Sequence, residues 1–309
     1  QGRALHRPGA RTERVLAGQD RVFGEGAAGR ARRRRGHVLI EDPQPAGYTG
    51  AQARFYDSYF TGLDGEVEYY LEHAKECGGP VLEAGCGTGR TLFPVAAAGI
   101  EICGVELSPD MVAQARGHAA RLPQEVRQRV TIVEADMRSL TEDLGGPFRL
   151  ISLPYRTFQH LLTIHDQMSA LQAFRQRLAT GGRLVLNQFD PTADMVRVLN
   201  EPEPSQNVDE LPVDMEFAEP GSQRTVRARY RRGYALEAQI IRQEFFYEIL
   251  DGGRVVDVER GELLLRYTYR YEMEHLLAVA GFRVVSLAGD FDGAPYSGYG
   301  EQVWVAEVE

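Results

Sequence analysis

The chain has 309 residues, 43% of them hydrophobic, which is enough to bury the core of one large or two small domains. No stretch approaches the roughly 18 uninterrupted apolar residues of a membrane-spanning helix, and the start lacks an apolar signal-peptide core, so we predict a soluble, cytoplasmic protein. Residues 1–37 contain ten arginines and three acids, a net charge of +7, whereas the whole chain has a net charge of −9. Residues 38–309 therefore carry a net charge of −16, which argues against nucleic acid as the main partner.

Residues 1–47 are predicted to form a basic, disordered tail and linker, because they are rich in Gly, Ala and Arg without sustained apolar periodicity. The run of four arginines at residues 32–35 leaves a nucleic-acid-binding arm as the alternative. One lysine, Lys75, accompanies 34 arginines, a bias typical of GC-rich bacterial coding sequences. The three cysteines lack the number and spacing of a disulfide framework or a zinc site, so we predict reduced thiols and no metal.

Next along the chain come two predicted helices, at residues 51–60 and 65–77. From residue 80 onward, short apolar runs alternate with amphipathic helices, the pattern of βαβ units in a parallel sheet. The predicted strands cover residues 81–83, 100–105, 130–134, 149–153 and 183–187. The helices between them cover residues 91–98, 109–121 and 164–178, the last stopped by Gly181-Gly182. We therefore predict an α/β fold built on a Rossmann-like, mostly parallel sheet.

The alternation of short apolar runs and amphipathic helices ends at about residue 190. Residues 191–222 are rich in Pro, Glu and Asp and predict a loop with one helix near Met195. Long alternating segments then predict an inserted antiparallel sheet with one solvated face, followed by a helix and two strands. The alternating segments cover residues 225–234, 236–250 and 254–265, the helix 270–280, and the strands 282–287 and 302–308. We predict one domain from residues 48–190 and 267–309, with residues 191–266 inserted as a substrate wall or, alternatively, a dimer contact.

The most informative segment is residues 81–90, Val-Leu-Glu-Ala-Gly-Cys-Gly-Thr-Gly-Arg, where a buried strand meets a helix. Glycines let the backbone turn sharply and let a ligand lie against bare peptide groups. The spacing Gly85-x-Gly87-x-Gly89 differs from the Gly-x-Gly-x-x-Gly of dinucleotide enzymes. The carboxylate of Glu83 would repel a pyrophosphate but attract a cationic amino group. The loop therefore favours a ligand that bears an ammonium and a sulfonium group, and disfavours a nicotinamide dehydrogenase.

Two further acids follow the next two strands. Glu106 closes the second strand, where a carboxylate can accept hydrogen bonds from both hydroxyls of a ribose. Asp136 follows the third strand, where it can accept from an adenine amino group while Met137 packs on the ring. One carboxylate at a strand end is commonly just solvated, but acids at the ends of three successive strands predict a nucleoside site.

These motifs, together with Gly-Val-Glu-Leu-Ser-Pro-Asp-Met at residues 104–111 and Ala-Asp-Met at 135–137, resemble those of class I S-adenosylmethionine-dependent methyltransferases over about residues 80–190. The resemblance implies a class I methyltransferase sheet with an antiparallel last strand, an inserted antiparallel sheet as a lid, and S-adenosylmethionine as the cofactor. It assigns the methionine part to the glycine loop, the ribose to Glu106 and the adenine to Asp136. The cofactor-binding residues that we predict are Glu83, Gly85, Cys86, Gly87, Gly89, Glu106, Leu107, Met111, Ala135, Asp136, Met137 and Leu153.

Features outside that core resemble small-molecule methyltransferases. They are Phe55-Tyr56-Asp57, the inserted segment, and the ending at residues 271–282. More specifically, they resemble bacterial amino-sugar N,N-dimethyltransferases and glycine N-methyltransferase. The resemblance implies a small-molecule methyl acceptor, with nitrogen favoured over oxygen as the acceptor atom.

The reacting centre should lie beyond the carboxyl end of the fourth strand, at residues 153–161. His160 is the predicted base or acceptor-orienting group, because an imidazole pKa near 6.5 suits proton transfer at neutral pH. The alternative is that His160 caps or packs the following helix. Tyr56 is predicted to take part in catalysis and, with Tyr59 and Tyr155, to line the pocket, although ordinary packing is the alternative for all three.

Two other functions stay open from the sequence. An RNA or protein methyltransferase would use the arginine-rich start to guide a macromolecule. A regulatory protein would bind the cofactor without turnover. A homodimer formed through the inserted sheet is compatible with each of them.

Overall fold

The computed structural model describes residues 47–191 and 205–309, which form two sheets. The predicted tail before Gly47 and the predicted helix near Met195 lie outside the described residues. From edge to edge, a seven-stranded main sheet consists of the strands at residues 282–288, 300–308, 178–190, 148–153, 81–84, 102–106 and 130–134. A four-stranded inserted sheet consists of those at residues 215–218, 225–235, 240–251 and 254–266. Within the described ranges, no helix combines the length and the apolar character needed to cross a membrane.

The strands of the main sheet are β1 (Val81–Ala84), β2 (Ile102–Glu106), β3 (Val130–Glu134), β4 (Phe148–Leu153), β5 (Leu178–Asp190), β10 (Phe282–Ala288) and β11 (Gly300–Val308). Those of the inserted sheet are β6 (Met215–Ala218), β7 (Thr225–Ala235), β8 (Ile240–Asp251) and β9 (Arg254–Arg266). The helices are α1 (Gly50–Arg54), α2 (Tyr56–Tyr59), α3 (Glu66–Cys77), α4 (Leu92–Ala97), α5 (Pro109–Ala119), α6 (Gln124–Arg127), α7 (Ile164–Arg177) and α8 (Arg270–Val279).

The main sheet is parallel except for β11, which lies antiparallel between β5 and β10. All residues of β1 and β2 are buried, since helices cover both faces of a parallel sheet. Helices α7 and α8 pack on one face around Phe174 and Leu277, and α3 and α4 pack on the other around Tyr70 and Leu92. The predicted fold class, a mostly parallel sheet with an antiparallel last strand and an inserted antiparallel sheet, is confirmed.

The inserted sheet packs its apolar face on α1 and α2, which we call the roof helices. Phe55 and Tyr59 of this short helical region contact Phe245 and Tyr247 of β8. The roof helices therefore lie between the inserted sheet and the main sheet, where α1 also contacts α5.

Three local predictions are wrong. The predicted loop at residues 191–222 contains β6, which is missed because a four-residue strand shows little alternation. The single helix predicted at residues 51–60 is divided at Phe55 into α1 and α2. Gly181 and Gly182 lie inside β5 and do not end the preceding helix, because β5 begins directly at Leu178.

Candidate active site

A cavity opens at the carboxyl ends of β1, β2, β3 and β4, the edge at which open parallel sheets bind ligands. It consists of a narrow hollow of about 310 Å³ and a wide hollow of about 720 Å³, which adjoin. The residues shared by both are Tyr56, Gly85, Gly87, Tyr155 and Thr157. The combined volume of the two hollows suits one elongated ligand.

The glycine loop forms the floor between the two hollows. Gly85 and Gly87 have φ angles of +70° and +55°, a region that favours glycine. A Cβ on Gly85 would lie 2.3 Å from Cγ2 of Thr157, whereas one on Gly87 would meet nothing closer than 3.5 Å. Gly89 does not line either hollow, because the ring of Phe93 covers it. Gly85 thus permits close packing and Gly87 faces the open space.

The narrow hollow contains a buried carboxyl group, that of Glu83. Its Oε1 accepts a hydrogen bond of 2.8 Å from Oγ1 of Thr91, while its buried Oε2 has no hydrogen-bond partner within residues 47–191 and 205–309. Burial raises the pKa of Glu83 from 4.5 to about 8. A ligand ammonium group fits beside such an oxygen, because its positive charge favours the ionised form of the carboxyl.

A cationic group, the Arg90 guanidinium, lies in the same hollow. Its Nη2 donates to the hydroxyl of Tyr56 at 3.0 Å, and its Cζ lies 4.3 Å from the centre of the Tyr155 ring. Among the described residues, its buried Nη1 has no hydrogen-bond partner, and neither has Oε1 of Glu66. Burial raises the pKa of Glu66. The narrow hollow is therefore lined by the Glu83 carboxyl and by the Arg90 guanidinium, two groups that match the two ends of an amino acid.

The wide hollow begins at Glu106, the last residue of β2. Its Oε2 accepts from the backbone N–H of Gly87 and its Oε1 from that of Ser108, both at 3.0 Å. Each oxygen keeps a second acceptor position, so the carboxylate can still bind two hydroxyl groups. Leu107 is 40% exposed although it is apolar. Further lining comes from Met111, Ala135 and Met137, which with Leu107 give an apolar slot next to the carboxylate.

Asp136 also lines the wide hollow, but a neighbouring residue engages it. Nε of Arg138 lies 3.0 Å from both oxygens of Asp136, and Nη2 donates to Oδ2 at 2.6 Å. Burial raises the pKa of Asp136, but the hydrogen bonds from Arg138 outweigh burial and hold it below its usual value. The carboxylate is ionised and fixed before any ligand arrives.

His160 and Tyr56, the two predicted catalytic residues, both line the wide hollow. The His160 ring is partly buried, its centre lies 5.6 Å from that of Tyr48, and it makes no hydrogen bond to the described residues. Burial lowers the pKa of His160 to about 4, so its imidazole is neutral at pH 7. Tyr56 packs against Tyr48 at 4.9 Å, and burial raises the pKa of its hydroxyl.

The segment after β4 has a rare backbone conformation. Tyr155 and Arg156 have φ angles of +54° and +64°, which are uncommon for residues other than glycine and concentrate at functional sites. The Arg156 guanidinium pairs with Glu301 at 2.7 Å, and its backbone N–H donates to Asn187 at 3.4 Å. These contacts hold Tyr155 against Arg90.

Most predicted site residues meet in this cavity, but two do not line it. Besides Gly89, Leu153 lies in the core, and its carbonyl accepts a hydrogen bond of 3.1 Å from the hydroxyl of Tyr70. The lining residues outside the motifs of the sequence analysis are Gly47, Tyr48, Glu66, Thr91 and Arg138. Thr157 lies in the segment predicted for the reacting centre, but no role was assigned to it. Arg90 was visible only as the last residue of the glycine motif.

Comparison with known proteins gives the same assignment of the central region. Residues 81–182 match a family model described as a methyltransferase domain. A glycine/sarcosine N-methyltransferase of Aphanothece halophytica is 30% identical over 124 residues, which are 40% of this chain and 45% of that protein. A ubiquinone biosynthesis O-methyltransferase of Xanthomonas axonopodis pv. citri is 27% identical over 126 residues, 41% of this chain and 49% of that protein. The chain thus matches about half the length of these curated relatives.

The solved structure of the CcbJ methyltransferase from Streptomyces caelestis shares the fold. Its TM-score is 0.66 at 21% identity, and the match covers 86% of this chain and 99% of that chain. The predicted resemblance to class I methyltransferases is therefore confirmed.

Proposed function

We propose that this chain, whose residues 81–182 match the methyltransferase domain family, is an enzyme that uses S-adenosylmethionine to methylate a small molecule. One observation carries the proposal. Two adjoining hollows hold, at one end, buried atoms of Glu83 and Arg90 that have no hydrogen-bond partner in the described part of the chain and, at the other, the Glu106 carboxylate beside an apolar slot. These groups match, in order, the amino acid, ribose and purine parts of the cofactor.

The residues present fit the cofactor in charge and in polarity. Glu83 Oε2 would accept from the ammonium group, and Arg90 Nη1 would donate to the carboxylate. Glu106 would accept from the ribose hydroxyls, and the apolar slot at Leu107 and Met137 would hold the purine. When bound, S-adenosylmethionine supplies a methyl group on a positively charged sulfur. A lone pair of the acceptor would attack the methyl carbon in line with the C–S bond, and the sulfur would leave with the electrons of that bond.

A nitrogen acceptor fits the two predicted catalytic side chains, His160 and Tyr56, better than an oxygen acceptor. A neutral His160 can accept a hydrogen bond from an N–H or O–H group, but a pKa of about 4 makes it a weak base toward a hydroxyl. A neutral amine already has its nucleophilic lone pair and needs orientation only. We infer that His160 and Tyr56 orient the acceptor, and that Tyr48 helps to exclude water.

We further propose that the segment inserted at residues 191–266 serves as a substrate wall or, alternatively, as a contact in a homodimer. The bias toward arginine over lysine favours a bacterial enzyme, and we propose a cytoplasmic location. Size-exclusion chromatography with light scattering would test the homodimer directly.

The first experiment is calorimetric titration with S-adenosylmethionine and S-adenosylhomocysteine, followed by incubation with methyl-labelled cofactor and a metabolite extract. We expect binding of both ligands and a labelled small molecule. The variant Glu83→Gln should bind at least tenfold more weakly, since the amide lacks the negative charge that pairs with the ammonium group, while the exposed Glu101→Gln should bind normally. Absence of binding would contradict the proposal, and binding without any labelled product would favour the regulatory alternative.

A further inference from the structure

Arg138 joins two carboxylates that belong to different elements of the fold. Its Nη1 donates to Oδ1 of Asp166 at 2.6 Å, while its Nε and Nη2 face Asp136. Asp166 lies in the first turn of α7, where its Oδ2 accepts from Oγ1 of Thr163 at 2.8 Å. Arg138 therefore ties the segment after β3 to the start of α7.

Arg138 leaves Asp136 with little remaining capacity to accept hydrogen bonds. Oδ1 of Asp136 accepts from the backbone N–H of Arg138 at 2.9 Å and from Nε, and Oδ2 accepts from Nη2. A carboxylate offers about four acceptor positions. The Nε hydrogen is shared between the two oxygens, so the three N–H donors leave room on the carboxylate for about one further donor.

The lining of the cavity indicates which part of a ligand lies next to Asp136. Asp136 and Arg138 both line the wide hollow, as do Leu107 and Met137 of the apolar slot. Glu83 lines only the narrow hollow, where the proposed function places the amino acid part of the cofactor. Under the proposed function, the group next to Asp136 is therefore an edge of the purine.

We propose that Arg138 is a positioning residue that fixes Asp136 as a one-donor acceptor and thereby selects a purine with an amino group over one with an oxo group at the same place. The inference rests on the proposed function, since it assumes an adenosyl ligand. An amino group can donate to the fixed carboxylate oxygen, whereas an oxo group would place two acceptors against each other.

The test is calorimetric titration of the full chain with S-adenosylhomocysteine and with its 6-oxo counterpart, S-inosylhomocysteine. We expect the unaltered chain to favour the amino ligand by about tenfold or more. In Arg138→Gln this preference should fall severalfold, mostly through weaker binding of the amino ligand. Arg138→Lys should restore only part of it, because an ammonium group cannot make the two parallel contacts. The exposed Arg116→Gln is the matched control and should keep the full preference.

Equal weakening of both ligands in Arg138→Gln would indicate a general structural role and would overturn the inference. An unchanged preference would overturn it as well. If Arg138→Gln does not fold, Asp166→Asn keeps the contact between Arg138 and Asp136 and should lower the preference by a smaller factor. Failure of the unaltered chain to bind S-adenosylhomocysteine would instead contradict the proposed function itself.

Discussion

At the scale of single residues, Glu83 couples the ligand site to the stability of the chain. Its pKa of about 8 in the fold, against 4.5 for an ordinary Glu, means that the folded chain keeps a proton that the unfolded chain releases. This contribution to the free energy of unfolding is complete below pH 4.5 and is lost as the pH rises through 8. We expect the melting temperature of the ligand-free protein to fall more between pH 5 and 9 than that of Glu83→Gln, measured by calorimetry.

The matched control for this measurement is Glu101→Gln, which changes an exposed carboxylate. It should follow the unaltered protein across the same range. Parallel curves for Glu83→Gln and the unaltered protein would contradict the assignment of a raised pKa to Glu83.

His160 gives the second prediction at this scale. With a pKa of about 4 it stays neutral above pH 5, so kcat/KM should show no ionisation of His160 near pH 6.5. His160→Ala should lower kcat by about a hundredfold, because the imidazole orients the acceptor, with little change in the Kd of S-adenosylhomocysteine. His165→Ala, at an exposed position five residues on, should leave both quantities unchanged. Full activity in His160→Ala would contradict a role in orienting the acceptor and would favour the alternative that His160 only packs in the fold.

Site residues at the ends of strands could be predicted from the sequence, whereas those whose roles depend on tertiary contacts could not. Glu83, Glu106 and Asp136 were found because the ends of parallel strands converge, whatever the side-chain conformations. The role of Arg90 depends on the ring of Tyr155, and that ring is placed by a left-handed backbone that no residue pattern indicates. Arg138 is equally hidden, because its second partner lies 28 residues away.

At the scale of elements, the glycine loop and the turn after β4 fit each other closely. Gly85→Ala would put a Cβ 2.3 Å from Cγ2 of Thr157 and would also keep a φ angle of +70°. We expect a loss of about 2–5 kcal/mol in the free energy of unfolding, from the backbone conformation and from overpacking together. Gly99→Ala, at φ +90° with nothing within 4 Å, should lose only the backbone part, about 1–2 kcal/mol.

A double variant separates the two causes. Thr157→Ser removes Cγ2 but keeps the hydroxyl that donates to the carbonyl of Pro154 at 2.6 Å. Gly85→Ala with Thr157→Ser should therefore regain the overpacking part in chemical denaturation. If the double variant is no more stable than Gly85→Ala, the contact with Thr157 is not the cause.

The elements themselves were largely predictable, since long apolar runs and Gly-marked turns dominate the central region. The errors fall where tertiary contacts override the local pattern. The break at Phe55 occurs where its ring packs on Phe217 and Tyr247 of the inserted sheet, contacts that a helical pattern does not encode. Strand β6 exists because Glu216 and its neighbours pair with β7, although its own composition resembles a loop.

At the scale of the whole molecule, the roof helices join the two sheets. Gln114 of α5 donates to the carbonyl of Ala53 at 2.6 Å, and Thr88 of the glycine loop donates to Asp57 at 2.6 Å. On the other side, Arg54 pairs with Glu259 of β9. Movement of the inserted sheet should therefore reach the cavity through Tyr56, which lies in the same helix as Asp57.

Tyr59 tests this coupling, because its hydroxyl donates to Asp214 beside β6. Tyr59→Phe would leave the Asp214 carboxyl, whose pKa is raised by desolvation, without that donor. Because Asp214 is exposed, water can replace the lost donor in part, and we expect a loss of about 0.5–1.5 kcal/mol in the free energy of unfolding. We also expect a severalfold rise in the Kd of S-adenosylmethionine, with the two quantities measured by denaturation and calorimetry. Tyr69→Phe is the control, since the hydroxyl of Tyr69 has no hydrogen bond to the described residues. If Tyr59→Phe lowers stability but leaves the Kd unchanged, the inserted sheet supports the fold without acting on the cofactor site.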